Sequence, residues 1–158
     1  MSIMGHIKIV IATPDEIESL RDLTKKLVES LGQKFEPKRF DWGITRRLYD
    51  PLQRHGILIA KDDETDETIG MIIAELRIDP FGASEGYIKQ VFLDEDYRGQ
   101  GIGKQLLQGA LEHLRKIKVE RVKVNLKEQA QDAAKVYKKM NFKKVYEVLE
   151  LDLNNENT

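Results

Sequence analysis

Residues 98–104 read Arg-Gly-Gln-Gly-Ile-Gly-Lys. Glycine at every second position lets a backbone turn sharply and come close to a ligand. An apolar run, Val91-Phe92-Leu93, and the acidic turn Asp94-Glu95-Asp96 precede this segment, and an amphipathic helical pattern follows it. A helix beginning there turns the unpaired N–H groups of its first turn toward the glycine loop, where they attract an anion. Lys104 falls in that first turn, and a cation there opposes the helix dipole unless an anion sits beside it. The local chemistry therefore asks for a phosphate. Two familiar phosphate loops do not fit. A dinucleotide fingerprint begun at Gly99 or Gly101 needs its last glycine where the chain has Lys104 or Leu106, and a Walker loop ending at Gly103-Lys104 needs glycine at Arg98 and Ser or Thr at Gln105.

The elements around the segment follow from pattern. Residues 6–12 read as a strand rich in β-branched residues. Thr13, Pro14 and Glu16 compose a capping box for a helix whose apolar residues recur at helical spacing until Gly32 stops it. Residues 37–50 suggest a second helix, ended by Pro51. Strands are expected at 56–61, 68–79 and 85–93, the first two joined by the acidic run Asp-Asp-Glu-Thr-Asp-Glu. A helix is expected at 101–118, a strand at 121–126, a short helix at 129–140 and a last, alternating strand at 143–153, before a polar tail at 154–158. The order β-α-α-β-β-β-α-β-α-β predicts an α/β (α+β) protein: a mixed, mostly antiparallel central sheet with helices on both faces. The 158 residues read as one domain, with its ordered core at about residues 6–153.

Composition narrows the function classes. Lys plus Arg total 26 against 27 Asp plus Glu, without the basic excess expected of a nucleic-acid binder. There is no cysteine, which removes disulfides, thiolate metal sites and a cysteine nucleophile. His6, His55 and His113 are scattered, so no metal is expected. No apolar run has the roughly 20 residues a membrane span needs, and the first residues do not resemble a secretory signal. A cytoplasmic protein without membrane or nucleic-acid partners is the expectation. A homodimer is neither required nor excluded.

Arg98-Gly99-Gln100-Gly101-Ile102-Gly103 resembles the pyrophosphate-binding signature of the GNAT superfamily of acyl-CoA-dependent N-acyltransferases, Arg/Gln-x-x-Gly-x-Gly/Ala, and matches every fixed position. The element order over residues 6–153 agrees with that fold. The family's late Ala-x-x-x-Tyr-x-x-x-Gly-Phe pattern appears as Ala133, Tyr137, Asn141 and Phe142, with Asn in place of Gly. Ala130 is a second departure, since many members carry there an Asn that contacts the cofactor.

The resemblance implies a transferase that moves the acetyl group of acetyl-CoA to a primary amine of a small molecule or peptide by direct attack in a ternary complex. It implies cofactor contacts from Arg98, Gly99, Gln100, Gly101, Ile102, Gly103 and Lys104, and main-chain contacts to the pantetheine arm from Val91, Phe92 and Leu93, the Val91 N–H holding the thioester carbonyl. Tyr137 falls at the position of the family's general acid; its spacing with Ala133 and Met140 equally suits a packed helix face. Arg98 has acidic neighbours with which it could pair instead. No base is readable: Tyr87 stands where some members carry a glutamate, and Glu85, Glu75 or water are alternatives. The acceptor is expected near residues 33–55, where Phe40 and Trp42 are candidate pocket residues among many cations, and near the turn between the third and fourth strands. A non-catalytic acyl-CoA-binding or sensing module is the alternative function.

Overall fold

The computed structural model describes residues 6–127 and 131–154. Contacts divide the chain into two units, residues 1–124 and residues 125–158.

In the first unit five strands form one sheet in sequential order: β1 (Ile7–Ile11), β2 (Ile57–Asp62), β3 (Thr68–Ile78), β4 (Ser84–Leu93) and β5 (Arg121–Val124). The first four pair antiparallel and β5 joins β4 in parallel, giving the mixed sheet that the element order predicts. Three helices accompany it: α1 (Ile17–Ser30), α2 (Pro37–Tyr49) and α3 (Ile102–Lys116). The continuous apolar runs of β2 and β3 signal burial on both faces. Ile57, Ile59, Met71 and Ile73 join Leu20, Leu23 and Leu27 of α1 and Ile44 and Leu48 of α2 in one core. The residues between them meet α3, whose Leu106, Leu107, Ala110, Leu111 and Leu114 are all buried. This contact is close: a Cβ on Gly109 would lie 2.9 Å from the Leu58 side chain, and one on Gly86 would lie 2.8 Å from Leu114.

Helix ends follow their sequence signals. Thr13 and Glu16 form the expected capping box, although the first turn, Pro14–Glu16, is a 3₁₀ turn. Gly32 at φ +73° closes α1, with the Gln33 N–H on the Val28 carbonyl and the Gly32 N–H on the Glu29 carbonyl.

The second unit contains α4 (Gln131–Lys139). Its expected first residues, Gln129 and Ala130, lie outside the described residues, so the Ala130 departure receives no structural account. Asn141 adopts φ +70°, the Phe142 N–H bonds the Tyr137 carbonyl at 3.0 Å and the Asn141 N–H bonds the Lys138 carbonyl at 3.0 Å. Asn thus serves where the pattern has glycine, because its short polar side chain tolerates the left-handed region. The strand expected at residues 143–153 does not form. Alternation fixes which side chains share a face, but a strand also needs a neighbouring backbone to pair with. No such ladder exists among the described residues, and Val145, Tyr146, Val148, Leu149 and Leu151 are exposed.

Gly56, just before β2, tests how tightly the sheet constrains its entry. A Cβ there would collide with the Ala74 carbonyl of β3, which is backbone and cannot swing away. Gly56→Ala should therefore lower stability by about 1–3 kcal/mol or more. Gly43→Ala, inside α2 with nothing within 4 Å of the added methyl, should gain roughly 0.5–1 kcal/mol. Urea midpoints that move together for the two variants would refute this account.

Candidate active site

The glycine turn lies where the sequence reading expects it, between β4 and α3. Gly99 at φ +78° and Gly101 at φ +80° occupy the left-handed region, and Gly101 is the residue at which α3 begins. No side chain caps the helix and no acidic residue stands in its first turn. A Cβ added at Gly99, Gly101 or Gly103 would meet nothing within 4 Å. Packing therefore does not require Gly103, and a helix pays about 1 kcal/mol for it relative to Ala. The vacant space and the uncapped N–H groups of Ile102, Gly103 and Lys104 make a concavity suited to phosphate oxygens. Gln100 adds a buried amide oxygen that lacks a hydrogen-bond partner among the described residues.

The turn is anchored on both sides. The Asp94 carboxylate accepts from Lys26 Nζ of α1 at 2.7 Å and from the Asp96 N–H at 3.0 Å. Burial alone would raise the Asp94 pKa, but Lys26 and the Asp96 N–H outweigh it and hold the carboxylate below its ordinary value. The Tyr97 hydroxyl donates to Asp62 at 3.0 Å. Asp62 also accepts the Glu64 N–H, the largest of the interactions that keep its pKa low. Sequence reading missed Lys26, Asp62 and Tyr97, since nothing in an acidic run tells an anchor from a solvated carboxylate. Arg98 does not pair with Asp94, Glu95 or Asp96 among the described residues; its Nε reaches the Leu93 carbonyl at 3.4 Å. Lys104 is exposed.

Val91, Phe92 and Leu93 occupy the second half of β4. Pairing with β5 ends at Ile88↔Val124, so residues 89–93 continue with β3 as their strand partner on one side. The β3–β4 register skips Lys89: Ala74 faces Ile88, while the next β3 residue back, Ile73, faces Gln90. Such a bulge sharpens local twist and turns the strand end. Phe92 packs against the α1–α2 core, Leu93 lies beside Gly70 and Val91 is exposed.

A cleft of about 480 Å³ lies between α2 and β3, lined by Trp42, Gly43, Arg46, Arg47, Tyr49, Asp50, Gln53 and Glu75. Trp42 lines it, whereas Phe40 packs toward the core against Phe35 and the β3–β4 turn contributes no lining residue. Glu75 accepts from Arg47 at 2.8 Å and from Arg77 at 2.7 Å. Burial would raise its pKa, yet the two guanidinium groups hold it below the ordinary value. Glu85 is paired with Lys123 at 2.7 Å. The Tyr87 ring carries the Arg77 guanidinium 4.2 Å from its centroid, and its hydroxyl lies 3.4 Å from Glu85.

In the second unit Tyr137 is buried, 7% exposed, with its ring edge-on to Phe142 at 5.1 Å. Burial raises its pKa, so the phenol stays protonated through neutral pH.

A sequence model of the acetyltransferase (GNAT) family matches residues 17–142. No curated protein sequence gives a significant match. Several solved structures share the fold. An aminoglycoside N-acetyltransferase in complex with CoA superposes with a TM-score of 0.78 at 17% identity, covering 93% of this chain and 94% of that one. A ribosomal-protein-alanine N-acetyltransferase from Brucella melitensis biovar Abortus 2308 gives 0.73 at 18% identity, covering 93% and 99%. A transcriptional regulator from Bacillus halodurans C-125 gives 0.76 at 21% identity, covering 94% and 100%. With the family model spanning most of the chain over the glycine turn and the mixed sheet, the protein belongs to the GNAT family of acetyltransferases.

Proposed function

We propose that this protein transfers the acetyl group of acetyl-CoA to a primary amine in a ternary complex. The observation that carries the reading is one strand-to-helix unit: residues 89–93 of β4 extend past β5 and lead into a glycine turn with an uncapped helix N-terminus. The pyrophosphate is assigned to the N–H groups around Gly99, Gln100, Gly101, Ile102, Gly103 and Lys104, with Arg98 and Lys104 supplying charge. The pantetheine amides are assigned to the main chain of Val91, Phe92 and Leu93, as an added strand would pair. The Val91 N–H then donates to the carbonyl oxygen as the amine attacks and negative charge develops on it.

As the tetrahedral centre collapses, the C–S bond breaks and the thiolate takes a proton. Tyr137 is our assignment for that donor, supported by its place in the Ala133–Phe142 pattern and by a pKa that burial raises. The proton lost by the amine is assigned to water: Glu75 is held by two guanidinium groups and Glu85 by Lys123, which weakens either as a base. The family match runs across the boundary at residue 124, which supports reading both units as one acetyltransferase domain.

Acetyl-CoA should raise the thermal midpoint, because a ligand bound by the folded state alone stabilises it by mass action. Gly101→Asp puts a side chain and a negative charge on the phosphate concavity and should abolish the shift while the variant remains folded. A midpoint shift of unchanged size in that variant would remove the loop from the site.

Tyr137→Phe keeps the ring contact with Phe142 and removes only the hydroxyl. Turnover should fall by about 10²–10⁴-fold with CoA affinity and stability near normal. Because burial raises the Tyr137 pKa, the acid form persists upward in pH, and the alkaline decline of the wild-type rate should come later than an ordinary phenol would give. A donor with a more acidic leaving thiol should rescue the variant; a large rate loss without rescue would sink the assignment.

A further inference from the structure

The cleft between α2 and β3 specifies more than an amine. Its walls lie on the outward face of α2, where Trp42 and Tyr49 are 66% and 67% exposed. Large aromatics standing that far out at the mouth of a cavity are the kind of apolar surface that marks a binding site. Its floor opens at Gly43, a helix-interior glycine with nothing within 4 Å of where a side chain would begin. Packing gives no reason for that glycine either. Glu75 in the cleft is the register partner of Tyr87, which lies four residues before Val91, about 13 Å at the rise of a strand.

The polar atoms of the lining are mostly committed. The Gln53 amide donates to the Leu76 carbonyl at 2.9 Å and accepts the Leu76 N–H at 3.0 Å. Asp50 accepts the Leu52 N–H at 2.8 Å. Glu75 is shared by Arg47 and Arg77. Asp50 has no cationic partner among the described residues, and beside it a set of donors remains. Arg46 stacks on Trp42, 4.8 Å from the ring centroid, and has no carboxylate partner among the described residues. The Trp42 indole N–H and the Tyr49 hydroxyl also lack partners among the described residues.

We infer that this cleft selects acceptors carrying a carboxylate on the same molecule as the reacting amine, with Arg46 as the residue that reads the charge. The inference rests on the acetyl-transfer reading above. An aromatic-walled cavity with a free guanidinium receives the anion and the acceptor's apolar body together. A carboxylate on the acceptor meets in Arg46 the lining guanidinium that has no carboxylate partner among the described residues, since Arg47 is held by Glu75. ω-Amino carboxylates and peptides with acidic side chains share this chemistry.

Trp42 is the sole tryptophan of the chain, so its fluorescence reports on the cleft whether or not turnover occurs. The experiment titrates the full-length protein with γ-aminobutyrate, its amide, putrescine and kanamycin. A peptide arm uses a short peptide with a free N-terminus and glutamates, and the same peptide with glutamines. Free-CoA release is measured on the same set. Saturable changes in Trp42 emission are expected with the carboxylates only, together with a KM about tenfold lower than for their amides. Arg46→Gln should erase that preference without changing CoA affinity, whereas Arg39→Gln, on an exposed part of α2 outside the cleft, should leave it intact. The arm that responds identifies small amino carboxylates or acidic peptides as the source. Equal or better transfer to putrescine or kanamycin, with no effect of Arg46→Gln, would overturn the inference. Failure of every amine in the release assay would count against acetyl transfer itself, and the Trp42 titration would still decide the anion preference of the cleft.

Discussion

The site depends on one mismatch in the sheet: β4 is longer than the partner that runs beside it. β5 contributes four residues, and its ladder with β4 ends at Ile88↔Val124. Lys89 is the residue the β3 register skips. The bulge and the end of the parallel ladder thus fall at adjacent positions. Extra twist at a bulge swings the rest of a strand out of line with its neighbour. A strand edge left open this way is normally a liability for aggregation. An extended ligand with its own amides can pair with such an edge, and that is the role the proposed function assigns to it.

The turn that follows converts that edge into a two-part site. Left-handed glycines at 99 and 101 reverse the chain within a few residues, and the first turn of α3 points its N–H groups at the space so formed. Helices usually settle their N-termini with a capping side chain or an acidic first turn. α3 has neither. Lys26 and Tyr97 hold the acidic turn just before it in place through Asp94 and Asp62. Arg98 makes no ion pair with these carboxylates among the described residues, although its charge adds to the forces that keep Asp94 ionised. One ion pair and one hydrogen bond therefore fix the approach to the turn.

Much of this was legible in the sequence because it depends on local chemistry. The capping box at Thr13, the stop at Gly32, the buried runs of β2 and β3, and the amphipathic face of α3 all follow from spacing within one element. The glycine turn between β4 and α3 was legible for the same reason. What escaped were features created by register or by distant contacts. Lys89 carries no mark of a bulge, since the bulge is a relation between two strands. Glu75 looked like a solvated base candidate, but Arg47 from α2 and Arg77 from its own strand make it an ion-pair hub. Residues 143–153 alternate well and yet form no strand, because alternation cannot supply a partner for the backbone.

Tyr137 shows where a motif and its chemistry separate. The Tyr-x-x-x-Asn-Phe stretch closes α4 through two backbone bonds and a left-handed Asn141, and the Tyr137–Phe142 ring contact is the apolar clasp that accompanies such an ending. That role accounts for an aromatic ring at position 137 without any reference to catalysis, so the motif match alone does not distinguish the two. The clasp, however, needs only the ring, and phenylalanine would serve it. The hydroxyl has no hydrogen-bond partner among the described residues, and burial opposes its ionisation. Proton donation is the task we propose for that hydroxyl, and a phenol that burial keeps neutral is suited to it.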